Sequence, residues 1–436
     1  MNFGTVDQQD NLFRRYDLLA VMNNLMSSAM LDYIIGPMGF CPIRPANSTL
    51  IRIDYDSGPG DLPRPHGPND DVNTVIWGVY GQREIEAPYW RGKYPIDEYT
   101  LTQMRRMGES GDRPGRIGFQ AIRDRVTGAR DVTDKRVAQT ACQALYGSIP
   151  LYYDNAETKV LNYQFSPDLQ LDLTAATASD RDDRVAWSDF DASNPLDDIA
   201  EMKFRLQQYG AWDPKYILMG ANVERNLVQN EKYKAWVART VPAGIDVTEF
   251  LNLPTAQIVG LTPMRAKGTY PILDRLADDY TGGTTMSLEN GSRGTMREIT
   301  ANDSIVAGLS TDPTNPEGQE RVQVANASGD ESPLDGKVLT LSAELTKRYS
   351  AGDQIVWNRP YIGWNDVFIL PDAAPGEWMQ WKVAQSIHAS MQSQRYAVIH
   401  RLDPPIPGRY EVIFGVDGIP IFLKKNQHAY IKTAAI

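Results

Sequence analysis

Between Gly115 and Gly147 apolar residues recur at helical steps. Ile122, Val126, Ala129, Val137, Ala141 and Leu145 form one stripe, with Arg and Asp residues mostly between them. The spacing predicts a single long helix over 116–147, with Gly128 as its weak point. At 1.5 Å per residue such a helix is about 45 Å long, more than a compact domain usually needs. Pro114 precedes its start, and Gly147 followed by Pro150 closes its end, as expected for helix boundaries.

The pattern changes along the rest of the chain. Residues 7–35 carry Leu12, Tyr16, Leu19, Met22, Leu25, Met26, Ala29 and Ile34 at helical spacing, with Gly36-Pro37 as a stop, and read as an amphipathic arm. TLIRIDY at 49–55 predicts a strand. The stretch SGPGDLPRPHGPNDD that follows holds four prolines and three glycines in fifteen residues and must be a loop. Alternation of Val75, Trp77 and Val79 then predicts a return strand, so 49–90 reads as a two-stranded excursion with a polar tip. VLNYQF and LQLDL around Ser166-Pro167 predict a second hairpin.

From Trp187 the reading is α/β. Asn194 is a suitable N-cap, Pro195 fits the first turn, and Asp197 and Asp198 lie where the helix dipole favours acids; Gly210 ends that helix. A strand at 216–220, a helix at 222–239, a strand AQIVGL at 256–261 and a strand VFILP at 367–371 follow. Residues 280–360 are rich in Gly, Thr, Ser, Asn and Asp, with short alternating runs such as KVLTLSA. They read as an inserted small β domain, with a low-complexity linker as the competing reading. The tail GRYEVIFGVDGIPIFLKK is strand-like, with a turn expected at Asp417-Gly418.

Composition narrows the class. With 436 residues, 42% hydrophobic and 23% charged, the chain is long enough for two or three globular domains. It has no apolar run near eighteen residues, so no membrane partner is expected. The start shows neither a basic segment with an apolar core nor a cleavage site, which points to the cytoplasm. Cys41 and Cys142 form no CxxC pair, and the four histidines have no metal-ligand spacing. The aspartates at 180, 182, 183, 189 and 191 lack the glycine and final glutamate of an EF-hand, and no phosphate loop or nucleophile elbow occurs. The expectation is therefore no cofactor, no metal and no catalytic set. The formal net charge of −11 argues against general nucleic-acid coating. Locally, however, Met104 to Arg136 carries nine basic residues against five acids, a stripe that either faces an acidic neighbour or is simply solvated.

The strings DEYTLTQMRRMG, FSPDLQLDL and above all WSDFDASNPLDDI, together with the order of elements, resemble the tailed-phage major capsid proteins of the Hong Kong 97 fold. Within that group they are most similar to the lambda-type major head proteins. The resemblance spans most of residues 45–275 and the VFILPD strand; the 280–360 insertion and the last 60 residues depart from it. It implies an α+β fold with an N-terminal arm (1–48), an extended E-loop (49–90) and a peripheral domain (91–190) containing the spine helix 116–147. An axial domain (191–279), the inserted β subdomain (280–360) and an axial remainder with return strands and tail (361–436) complete it. The implied function is a structural subunit of an icosahedral bacteriophage capsid. It would self-assemble in hexamers and pentamers around double-stranded DNA, with scaffolding, portal and decoration proteins as further partners, and be built in the bacterial host cytoplasm. Candidate inter-subunit contacts are Arg64, Pro65, His66, Asp70 and Asp71 on the loop and Arg123, Arg125 and Arg130 on the helix. An α/β enzyme with a site at the strand ends near Gly220 and Thr262 is the alternative. An adhesive or carbohydrate-binding protein would account for the insertion alone.

Overall fold

The computed structural model describes residues 33–36, 39–45, 50–56, 80–86, 88–96, 116–152, 158–174, 184–210, 213–240, 250–251, 256–266, 269–289, 304–309, 320–325, 334–335, 338–374, 376–384, 396–401, 410–424 and 426–434. The chain forms two compact units, residues 1–141 with 373–425, and residues 142–372 with 426–436. The expected arm up to residue 32, the expected loop 57–71 and Val75, Trp77 and Val79 of the expected return strand lie outside the described residues.

The first unit is organised on one strand, Tyr410–Phe422, of thirteen residues. Its first half pairs antiparallel with Tyr396–Arg401 and Tyr89–Ile96, and its second half with Met379–Val383, which in turn pairs parallel with Ile43–Pro45. The turn expected at Asp417-Gly418 is absent, because the strand runs straight through both residues. Gly418 is there for close packing: a Cβ on it would stand 2.3 Å from the Lys382 carbonyl oxygen and 2.7 Å from Trp381 Nε1. Asp417 is buried and accepts from Arg91 Nη2 at 2.9 Å, and Gly418 O accepts from Trp90 Nε1 at 3.0 Å. A separate two-stranded ribbon, Leu50–Asp56 with Tyr80–Glu86, is antiparallel in continuous register from Leu50↔Glu86 to Asp56↔Tyr80.

The long helix, α1, is Arg116–Leu145, 30 residues and unbroken at Gly128. A Cβ at Gly128 would meet nothing within 4 Å, so that glycine neither packs nor kinks the helix. Its buried face includes Val126, Ala129, Val137, Ala141 and Leu145 of the predicted stripe, together with Ala138; the side chain of Ile122 lies outside the description. The buried Thr133 and Thr140 donate their hydroxyls to the carbonyls of Ala129 and Arg136, one turn back. Gly147, at φ +94°, terminates the helix in the left-handed conformation that glycine adopts without steric cost.

The second unit centres on a five-stranded sheet ordered Gln170–Asp172, Ala429–Lys432, Asp366–Pro371, Pro214–Met219, Thr262–Arg265. Asp366–Pro371 is buried at all six positions, which is why its sequence is a continuous apolar run rather than an alternating one. Helices of this unit include α2 Pro195–Gln208, α3 Ala221–Gln229 and α4 Glu231–Thr240. Ile199, Met202 and Leu206 of α2 share a core with Ile217, Met219, Val367, Ile369, Leu227 and Tyr233.

Four expectations are corrected in this unit. The VLNYQF and LQLDL runs do not pair with each other: Thr158–Asn162 pairs with Ser148–Tyr152, while Gln170–Asp172 runs parallel to Ala429–Lys432. The 222–239 helix is two helices, broken at Asn230, whose backbone is extended. The buried Asn230 side chain donates to Ser193 Oγ at 2.9 Å and accepts from the Tyr233 backbone N–H, capping α4. AQIVGL is not a strand but a tight turn, with Val259 at φ +53° and Gly260 at φ +76°; the sheet is entered only at Thr262. The β structure expected to begin at Tyr280 has a strand before it, since Thr269–Arg275 pairs antiparallel with Gln354–Pro360 throughout. That pair joins Ser304–Leu309 and Glu320–Gln323 in a four-stranded sheet, and Thr285–Ser287, Val338–Thr340 and Leu334–Asp335 form a three-stranded one.

Candidate assembly surfaces

The WSDFDASNPLDDI string is a start-of-helix device. Trp187 is fully buried and donates from Nε1 to Asp198 Oδ2 at 2.8 Å, and Arg184 approaches the same carboxylate at 3.2 Å. The acid expected to serve the dipole of α2 is therefore also the buried acceptor that fixes the segment before it. Asn194 occupies the cap position but makes no side-chain cap bond; its amide donates to Asp197 instead.

The end of α1 is held by side chains from three other segments of the second unit. Tyr146 donates its hydroxyl to Asp366 Oδ2 at 2.6 Å and accepts from the Gly363 N–H at 2.9 Å; Tyr430 donates to Asp366 Oδ1 at 2.9 Å. His428 Nε2 donates to the Leu145 carbonyl at 2.9 Å, satisfying one of the acceptors that a helix C-terminus leaves open. Around these groups the rings of Tyr146, Phe368 and Tyr430 pack at centroid separations of 5.0 to 5.3 Å, and Phe165 meets the imidazole edge-on at 4.6 Å. Burial raises the Asp366 carboxyl above the ordinary range against the two tyrosyl donors, which favour its ionised form, and burial raises both tyrosines. The same burial lowers His428 to about 4. Nothing in local spacing joins residues 146, 366, 428 and 430. The only sequence signals were a tyrosine at a helix end and an aspartate opening a wholly apolar strand.

The predicted contact residues fall into three groups. Arg64, Pro65, His66, Asp70 and Asp71 lie outside the described residues. Arg123 and Arg125 are on α1. Arg130 is buried, 8% exposed, and its Nε donates to Asp134 at 3.3 Å, so it is part of the interior rather than of a presented stripe. Arg136 of the same stripe lies over the Trp90 ring at 4.4 Å and donates to Gln139, and Lys135 pairs with Asp131. The basic stripe is thus engaged within the chain at each of these three positions. Among the described residues the exposed large apolar side chains include Val132, Val160, Phe204, Val338 and Trp364.

Gly220 and Thr262, the markers of the enzymatic alternative, do not converge. Pro214–Met219 and Thr262–Arg265 are parallel with Tyr216 opposite Thr262, so Gly220 lies past one strand's end and Thr262 at the other's start. That is about 13 Å of strand. The space beside Gly220 is filled by backbone, with the Gly363 carbonyl oxygen 2.2 Å from where its Cβ would stand.

The family described as phage major capsid protein E matches residues 15–278, more than half of the chain. The chain belongs to that family. No curated protein matches the sequence. Among solved structures, a protein assigned as the capsid protein of a prophage of E. coli CFT073 is similar over 96% of this chain and 99% of its own, at 13% identity and a TM-score of 0.50. A phage-related protein of Bordetella bronchiseptica RB50 covers 96% and 97% at 10% identity and a TM-score of 0.40. The capsid of cyanophage A-1(L) covers 94% and 96% at 8% identity and 0.42. This major capsid protein therefore has the α+β Hong Kong 97-type fold and serves as a structural subunit of a bacteriophage capsid, associating with copies of itself in the virion.

Proposed function

We propose that the chain builds the hexamers and pentamers of an icosahedral shell in the bacterial host cytoplasm, around double-stranded DNA and with scaffolding, portal and decoration proteins as partners. In this reading residues 49–90 are the E-loop and 116–147 the spine helix of the peripheral domain. Residues 191–279 with part of 361–436 are the axial domain, the rest of 361–436 being peripheral return strands and the tail. The inserted β subdomain, 280–360 as read from sequence and from Thr269 by its strand pairing, faces outward. Its charge of −4, from eleven acids and seven bases over 280–360, suits solvent better than packaged DNA.

The observation that carries the reading is the ribbon Leu50–Asp56 with Tyr80–Glu86, a two-stranded sheet separate from the main sheet of its unit. An isolated hairpin is marginal in water, so a ribbon carrying a proline-rich tip gains most when it lies on a neighbouring subunit. Arg64, Pro65, His66, Asp70 and Asp71 are then contact residues of the tip, and Arg123 and Arg125 contact residues of the helix. Arg130 is left out because it is buried. Deleting Gly58 to Asp71 tests this: the variant is expected to keep its circular dichroism spectrum and lose assembly. Replacing Arg123 and Arg125 with Gln should lower particle yield with little change in monomer stability. An unfolded loop deletion, or full particle yield from both variants, would overturn the assignment.

A further inference from the structure

Residues 426–434 enter the second unit as an interior strand whose partners all precede it in the chain. Ala429–Lys432 lies between Gln170–Asp172, to which it runs parallel, and Asp366–Pro371, to which it runs antiparallel, with Ile431 opposite both Leu171 and Val367. Ala429, Ile431 and Thr433 are fully buried. The segment opens at Asn426, whose backbone stands in the left-handed region at φ +57° and whose Oδ1 accepts from the Ser166 N–H at 3.0 Å. Farther along, the Lys432 carbonyl accepts from the Leu173 N–H at 3.0 Å and the Thr433 carbonyl from the Trp187 N–H at 2.8 Å, while the Thr433 N–H and hydroxyl both go to the Asn365 carbonyl. His428 adds the bond to Leu145 at the end of α1. The edge strand, the helix end and the Trp187 segment are thus tied to the central strand through one short stretch of chain.

We propose that segment 426–434 is a latch: the gap between Gln170–Asp172 and Asp366–Pro371 is a strand-acceptor site, which the rest of the second unit presents first and this segment fills last. The inference does not depend on the assembly reading. Two observations set the order. Of the twenty buried residues that make up the core of this unit, two, Ala429 and Ile431, come from the segment. The helices α2 to α4 and the pair Pro214–Met219 with Asp366–Pro371 therefore share a core that is nearly complete without it. The second observation is distance along the chain. Asn426 and Ser166 are 260 positions apart, and His428 and Leu145 are 283 apart, so the entropy of closing those loops is spent before the ladder repays it. What the site accepts follows from the pairing. It takes an extended segment with small or β-branched side chains at alternate positions facing the core, here Ala429, Ile431 and Thr433, and with backbone groups free to bond on both edges.

Cutting the full chain after it has folded tests the proposal. A single protease site introduced at position 425 frees residues 426–436 from an otherwise intact molecule, and hydrogen exchange is followed in peptides covering 170–173, 184–189 and, in α2, 199–206. Once the segment has been displaced in mild urea and removed, the first two peptides should lose protection at least about a hundredfold while the α2 peptide keeps its own. Adding synthetic segment 426–436 should restore both. In the uncut chain Ile431→Asp, which puts a carboxylate into the buried slot, should give the same divided pattern. The proposal is overturned if the segment leaves only when α2 unfolds with it, if its removal leaves 170–173 and 184–189 protected, if the synthetic segment restores neither, or if Ile431→Asp exposes α2 along with them.

Discussion

Tyr146, the first residue past α1, places its hydroxyl 2.6 Å from Asp366 Oδ2, 220 positions away in sequence. One hydroxyl thereby ties a helix end to the central strand of the sheet, and it also receives the Gly363 N–H. Tyr146→Phe keeps the ring contacts but withdraws a donor from a buried carboxylate and an acceptor from a half-buried amide. The expected cost is about 1–3 kcal/mol. The lost donor had favoured the ionised form, so the variant should hold the Asp366 proton still more tightly when folded. Its penalty should be larger at pH 7.5 than at pH 4.5. Urea unfolding at the two values measures it, and a penalty independent of pH would refute the account of the cluster.

Gly418 and Gly220 are required for space. Alanine at 418 must displace the Lys382 carbonyl, and alanine at 220 the Gly363 and Trp364 carbonyls, in each case backbone that cannot rotate away. Each substitution should destabilise its unit by about 1–3 kcal/mol or more, whereas Gly128→Ala, with open space around the Cβ, should be neutral or slightly stabilising. Thermal denaturation of the three variants gives the order directly.

Much of this architecture was readable from the chain because local and tertiary demands agree. The stripe from Ile122 to Leu145, the N-cap position at Asn194 and the apolar run 367–371 each state their own element. Where the demands diverge, the local signal misleads. Asp417-Gly418 has turn chemistry, but its aspartate is neutralised by Arg91 and its glycine admits a neighbouring strand. Asn230 sits in a helical pattern, yet its amide is consumed by Ser193 and Phe190. Arg130 counts as a surface charge in sequence and is an interior ion pair with Asp134 in the fold. The cluster at the root of α1 was not readable at all, because its members are brought together only by strand pairing between distant segments.

Removal of the proposed inserted subdomain has to respect the strand pairing at its ends. Cutting at Tyr280 and Pro360 would strip Gln354–Pro360 from its partner Thr269–Arg275 and leave a strand exposed. Because Thr269 and Pro360 are paired, the chain leaves and re-enters at neighbouring points, and a short Gly-Ser linker in place of 267–361 can bridge them. The excised protein should retain a cooperative thermal transition and the five-stranded sheet of the second unit. Loss of cooperativity would mean that the insertion is part of that unit's core.

The proposed function requires that the chain be a subunit that associates with its own copies. Electron microscopy of the purified full chain in negative stain, over a range of protein concentrations, examines that claim with the fewest assumptions. Closed shells or capsomer rings of five and six subunits are the expected result. Uniform monomer-sized particles of the undeleted chain at every concentration would contradict it.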